Sequence, residues 1–226
     1  MVEKLEVYIG TEPDFWLPTE VLRYSILSRT SAPISFKEIK EVPAKKYISP
    51  YSGLKRFFVP KLNKYQSRAL YINSGALVLF DIQELFNIEM NNYGAIARPK
   101  LTGVRGFYTG VMLLDCPRLK WNGDEIIEKA INHDIYNKTV WGMEGGLVTK
   151  DLGPLPDEYN HFDQFSEHTK ILVYSDFANA PWRNESHPQY ERFKNELKKA
   201  IEDKEIPIDL VKKEIERQKV NPRLID

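Results

Sequence analysis

A chain of 226 residues with 42% hydrophobic and 28% charged side chains can bury the core of one large domain or two small ones, and its composition excludes wholesale disorder. Its 32 basic and 32 acidic residues cancel, so the positive excess that drives non-specific nucleic-acid binding is missing and no nucleic-acid partner is expected. The only cysteine, Cys116, excludes an internal disulfide framework and a thiolate zinc cluster; with no signal-like leader and no apolar run near the roughly 18 residues of a membrane span, a cytoplasmic location is the expectation.

Residues 5–9 alternate in character and end in Gly10-Thr11, which predicts a first strand stopping at a tight loop. Val21, Leu22, Ser25 and Ile26 recur at helical spacing, predicting a helix over 19–29 with Thr19 as its cap and Pro18 before it. Residues 34–39 alternate again, and a strand, helix, strand order favours a parallel pair. A short helix over 55–62 carries Phe57, Phe58 and Leu62 on one stripe, with Pro60 in it or ending it. Residues 69–72 and 76–80 read as buried strand interrupted by Asn73-Ser74-Gly75, followed by an acidic turn over 81–86. A buried strand over 108–114, a helix over 124–132 and a late strand over 170–174 come next. Phe193, Leu197 and Ile201 define an amphipathic helix from about Gln189, and residues 209–219 form a last helix of mixed charge, expected to be solvated. The expected division is a main domain over 1–204 and a helical appendage over 205–226.

Three stretches together resemble the nucleotide-sugar glycosyltransferases of family 8 and their glycogenin-like relatives. VYIGTEPDFWLPTEVLRYSILSRTSAPISFKEI is similar to that family's opening strand, donor loop, helix and second strand. GLKRFFVPKLNKYQSRALYINSGALVLFDIQELF is similar to the helix, loop and strand leading into its metal motif, and ILVYSDFANAPWRNESHP to the segment in which a histidine precedes Pro-Trp. Tyr108-Thr109-Gly110-VMLLDC stands where the family has a small-residue and glycine motif before an apolar run. The resemblance spans roughly residues 5–200 and implies an α/β protein of GT-A type, with a mostly parallel Rossmann-like sheet flanked by helices and, here, a C-terminal helical extension.

The interruption in ALYINSGALVLF falls where such relatives carry Asp-X-Asp, whose carboxylates hold a divalent metal against the donor diphosphate. A fixed cation there stabilises the charge that grows on the leaving group, and hard cations take oxygen ligands. Here the positions are Asn73, Ser74 and Gly75, and the family's third ligand, a histidine, falls on Val173. The Asp-X-Asp motif is thus degraded, and no metal ligand and no cofactor is assigned, with Mn²⁺ or Mg²⁺ at a displaced site kept as the alternative. Read without the resemblance, Asn-Ser-Gly also suits a tight turn between two strands, with Gly75 supplying positive φ.

The resemblance implies transfer of a hexose from a UDP- or GDP-sugar to an unknown acceptor with retention of configuration, in the absence of the usual metal; the alternative is an inactive glycosyltransferase-like protein that binds a nucleotide, glycan or partner. Arg56 matches the cation that relatives carry before the metal motif and is assigned to the diphosphate, with Lys55 as its neighbour alternative and Arg183, after Pro181-Trp182, as a second charge. Tyr8, Gly10 and Thr11 at the first strand end, Asn73, Ser74 and Gly75 at the interruption, and Trp182 complete the expected nucleotide-sugar contacts, Tyr8 being equally a core candidate. Glu144 and Asp176 are the catalytic candidates, with Asp163 a further one. The four histidines show no ligand spacing on one element. Variable loops over 91–105 and 150–168 are expected to form the acceptor side.

Overall fold

The computed structural model describes residues 4–40, 52–101, 105–132 and 148–226. The chain enters through β1 (Leu5–Gly10), crosses α1 (Trp16–Leu27) and returns as β2 (Ile34–Ile39), parallel to β1 over its whole length. α1 begins before Thr19, the expected cap. Pro18 is tolerated in a first turn, where its missing N–H would have no intrahelical partner, so Trp16 can open the helix. The Thr19 hydroxyl instead donates to the Phe15 carbonyl at 2.6 Å and pairs with the Thr11 hydroxyl at 2.8 Å.

On the other side of β1 lies β3 (Arg68–Asn73), then β6 (Phe107–Asp115), β5 (Ala95–Pro99) and β7 (Leu152–Pro154), giving the order β2-β1-β3-β6-β5-β7. Every strand of this sheet points the same way except β6, so the sheet is mostly parallel, the α/β architecture expected. Along β3 the side chains alternate between two cores. Ala69 and Tyr71 join Tyr8, Phe57 and Met112, whereas Leu70 and Ile72 join Val7, Ile9, Leu22 and Val111. Burial of both faces is why these strands read as unbroken apolar runs.

The short helical segment before β3 is a 3-10 turn (Ser52–Phe58) continuing into α2 (Val59–Leu62), with Pro60 in its first turn. Phe57 and Phe58 are buried as expected, but Leu62 is 50% exposed because 3-10 winding shifts it off their stripe. β5 falls in the stretch read as a variable loop, and its edge is paired on both sides by β6 and β7.

A second sheet has the order β4-β9-β8, from β4 (Ala76–Val78), β9 (Ile171–Val173) and β8 (His161–Phe162). Asn73-Ser74-Gly75 is therefore no hairpin turn. It is the passage from the six-stranded sheet into the three-stranded one, and Gly75 has no positive φ. α3 (Gln83–Phe86) packs against β3 and α4 (Gly123–Asn132) against the 3-10 turn, and α5 (Tyr190–Glu202) and α6 (Ile208–Glu216) follow β9.

The expectation of a solvated last helix does not hold for its inner face. Val211, with Ile206, Val220 and Leu224 beside it, is buried in a third core that includes Phe15, Leu17, Trp182 and Phe193. The stripe is short, so the mixed charges around it hide it in sequence.

Candidate functional site

The ends of β1 and β3 and the start of β6 form one rim of the main sheet, because β6 runs opposite to its neighbours. Gly10 and Asn73 are register partners on that rim, and the Ser74 N–H donates to the Gly10 carbonyl at 3.0 Å. Open α/β sheets bind ligands outside the carboxyl ends of their strands.

Tyr71 connects the rim to the helical segment beneath it. Its hydroxyl donates to Asn73 Oδ1 at 2.9 Å, and burial pushes its pKa up to about 12, so it remains a donor. Gly10 makes room for this bond, since a Cβ there would stand 2.3 Å from the Tyr71 hydroxyl. The Asn73 amide lies against Gly110, its Nδ2 3.4 Å from where a Gly110 Cβ would be, and Val173 reaches the same point at 3.6 Å. The Tyr174 N–H donates to the Gly75 carbonyl at 2.8 Å. Asn73 and Gly75 thus meet Val173, far along the sequence, on the rim.

That donor set does not fit a hard divalent cation. It offers one amide, already engaged by Tyr71, and two positions with no side-chain ligand atom, and among the described residues no group of three His, Cys, Asp or Glu could hold a metal.

Arg56 is 3% exposed and stands over the Tyr71 ring, its guanidinium carbon 5.6 Å from the ring centroid. Its Nε and Nη1 have no hydrogen-bond partner among the described residues. Burial lowers its pKa, and interaction with the Tyr71 side chain opposes that fall. Lys55 is also buried, but it is consumed: its ammonium is held by the Thr11 carbonyl and by Glu12, the latter at 3.0 Å. Of the two adjacent cations, Arg56 alone keeps unsatisfied donors.

The other expected residues divide. Thr11 and Ser74 line the rim and are buried, and the Thr11 hydroxyl is already paired with that of Thr19. Gly75 is small because Phe177 covers it, a Cβ there lying 2.5 Å from the ring. Tyr8 belongs to the core: its hydroxyl donates to Asn63 Oδ1 at 3.2 Å and accepts from Lys37 at 3.1 Å. Trp182, also expected among the donor contacts, is 1% exposed and packed in the core against Phe15, Tyr174 and Phe193. Arg183 is exposed beside Phe15, in a cleft with Asp14 and Lys219.

The Asp176 carboxylate closes its own loop, accepting from Ala178 N–H at 3.0 Å and Asn179 Nδ2 at 2.7 Å. The Asn179 amide first, and then the Ala178 N–H, hold its pKa below the usual range. Asp163, at φ 51°, accepts from the Ser175 hydroxyl and lies 3.3 Å from His187 Nε2. Glu144 lies outside the described residues. Tyr71 and Phe177, which shape the rim, escaped the sequence reading; Tyr71 carried a signal, since it lies two residues before Asn73 and so shares its strand face.

No family model matches the sequence, and no curated protein matches it. Solved structures do. The chain is similar to the bifunctional glycosyltransferase WbbM in its apo form (TM-score 0.62, 14% identity), covering 87% of this chain and 50% of that one. It is similar to the glycosyltransferase GlyE of Streptococcus pneumoniae TIGR4 (0.63, 17%; 86% of this chain, 60% of that one), and to the galactosyltransferase LgtC in complex with donor and acceptor sugar analogs (0.61, 13%; 85% and 95%). The chain therefore spans about half of WbbM and 60% of GlyE, and it has the GT-A fold of these proteins. No helix among the described residues is long and apolar enough to cross a membrane.

Proposed function

We propose that the protein is a glycosyltransferase that takes a hexose from a nucleoside diphosphate sugar and holds the diphosphate with Arg56 in place of a metal ion. The observation that carries this reading is the buried Arg56 guanidinium, whose Nε and Nη1 have no partner among the described residues, beside Tyr71 and beneath the rim where Gly10, Asn73, Gly110 and Val173 converge. An uncompensated charge away from water costs several kcal/mol, roughly, and a phosphate oxygen is the partner that a planar guanidinium matches best. Tyr71 orients Asn73 toward the donor, and Gly10 makes room for Tyr71 to do so.

In the transfer step the bond from the anomeric carbon to phosphate oxygen breaks and a bond to the acceptor oxygen forms. The hydroxyl proton leaves with the nucleoside diphosphate, and Arg56 offsets the charge growing on that leaving group. Retention of configuration follows from the family resemblance and is part of the proposal.

Calorimetry with UDP-glucose and GDP-mannose in the presence of EDTA tests the reading. One donor should bind and be consumed, and Arg56→Ala should weaken its binding about tenfold or more while Arg56→Lys retains part of it. Binding without turnover against any acceptor would instead make the protein a binding module on this fold. Absence of binding, or binding indifferent to Arg56, would overturn the assignment.

A further inference from the structure

Beside the rim lies a cleft of about 420 Å³, within the range of small-molecule sites, formed where the end of β5 and the start of β6 meet the segment around β8. Two of its lining residues tie it to the rim. Tyr108, on its wall, precedes Gly110 by two residues, about 7 Å along a strand, and Phe162 is the register partner of Val173.

We propose that this cleft is the acceptor subsite and that its ligand is a neutral carbohydrate; the assignment rests on the glycosyl-transfer reading above. Its walls carry three aromatic rings. Tyr108 and Phe162 pack edge to face with centroids 4.8 Å apart, and Phe165 is 41% exposed, held from one side by the Arg192 guanidinium 3.5 Å from its centroid. A clamped aromatic ring left open to solvent is a platform for an apolar surface, and the C–H face of a sugar is one.

The polar groups around these rings suit the sugar's hydroxyls, each of which both donates and accepts. Arg98 supplies donors, Asp157 supplies acceptors and Gln164 supplies both. Two of the wall residues are already positioned. Arg98 Nη1 donates to the Asn160 carbonyl at 2.6 Å, and the His161 ring is held by the Thr169 hydroxyl at 2.8 Å and lies 3.5 Å from Asp157. Arg98 is the one Lys or Arg among its lining residues and Asp157 supplies a carboxylate, so the lining holds no cluster of cations and the cleft matches a neutral ligand and not a second phosphate.

Saturation-transfer NMR on the full chain with a panel of neutral hexoses and disaccharides tests this, run beside titrations with UDP-glucose and GDP-mannose. At least one sugar should receive saturation at its ring C–H protons. Phe165→Ala should weaken that sugar about tenfold and leave any nucleotide-sugar affinity within about twofold, while Phe165→Trp should retain sugar binding. Gln164→Ala gives a second, surface variant, and circular dichroism checks that each is folded. No binding across the panel, or binding indifferent to both positions, overturns the proposal. Sugar binding that depends on Phe165 without any nucleotide-sugar binding keeps the carbohydrate site and removes the transfer reading, so the two failures are distinguishable.

Discussion

Gly10 and Tyr71 exclude and need one another at the rim. A methyl group on Gly10 would meet the Tyr71 hydroxyl at 2.3 Å and its ring carbon Cζ at 2.9 Å, inside the sheet where neither strand can retreat. Gly10→Ala should cost about 1–3 kcal/mol in urea unfolding. Combining it with Tyr71→Phe removes the nearer atom, so the double variant should lose less than the sum of the single losses, the coupling that a double-mutant cycle measures. Additive losses would mean that the glycine is needed for another reason. At the same scale, Arg56→Ala removes a charge with unsatisfied donors, so it should weaken donor binding without lowering stability; a stability loss as large as that of a core truncation would speak for a structural role.

Between elements, the passage Asn73-Ser74-Gly75 moves the chain from one sheet to the other, and α1 clamps the transition. Ser25 Oγ donates to the Leu22 carbonyl at 2.7 Å and accepts from the Val78 N–H at 3.1 Å, so a helix hydroxyl serves the first strand of the small sheet. α1 is in turn tied to α5. The Arg29 guanidinium holds both oxygens of Glu196, at 2.5 and 2.9 Å, and the Glu196 side chain is 6% exposed. Removing only the cation leaves a buried carboxylate uncompensated, so Arg29→Met should destabilise by about 3 kcal/mol in thermal or urea unfolding. The pair Arg29→Met with Glu196→Leu should recover much of that loss. A loss no larger than that of an exposed surface pair, about 1 kcal/mol or less, would show that α5 is docked by its apolar stripe alone.

At the scale of the whole molecule, residues 205–226 contribute Ile206, Val211, Val220 and Leu224 to the core around Trp182, and Lys219 pairs with Asp14 at 2.9 Å in the loop after β1. Burial of four such side chains is worth about 6 kcal/mol or more, comparable with the stability of a domain. A chain ending at residue 204 should therefore lose its cooperative thermal transition or most of its midpoint. An unchanged transition would restore the picture of a separable appendage. Burial also sets the alkaline limit. Desolvation raises the pKa of Tyr24 and of Tyr71 to about 12 from an ordinary 10.0, so the folded state holds these protons where the unfolded state has released them. Stability should be constant below pH 10 on their account and fall between pH 10 and about 12, and the near-UV absorbance of tyrosinate should rise together with unfolding.

Much of the fold was legible because β1, β3 and β6 are buried on both faces and advertise it as apolar runs, and because strand, helix and strand at residues 5–39 permit few topologies. β5, β7 and β8 were not legible. All three are short, β5 and β7 carry Pro99 and Gly153-Pro154, and they are strands only because a neighbour supplies their hydrogen bonds. The site divides the same way. Asn73, Gly75 and Val173 could be read as departures from a family pattern at single positions, and Arg56 as a cation on a helical turn. That three of these meet on one rim, that Lys55 is spent on Glu12 while Arg56 keeps unpaired nitrogens, that Trp182 is core, and that Phe165 faces solvent beside Tyr108 depend on contacts between residues far apart in the chain. Sequence by itself determined the alternation of burial, since periodicity follows from local backbone geometry. Only the tertiary structure decided which polar groups are satisfied, since that depends on what packs against each of them.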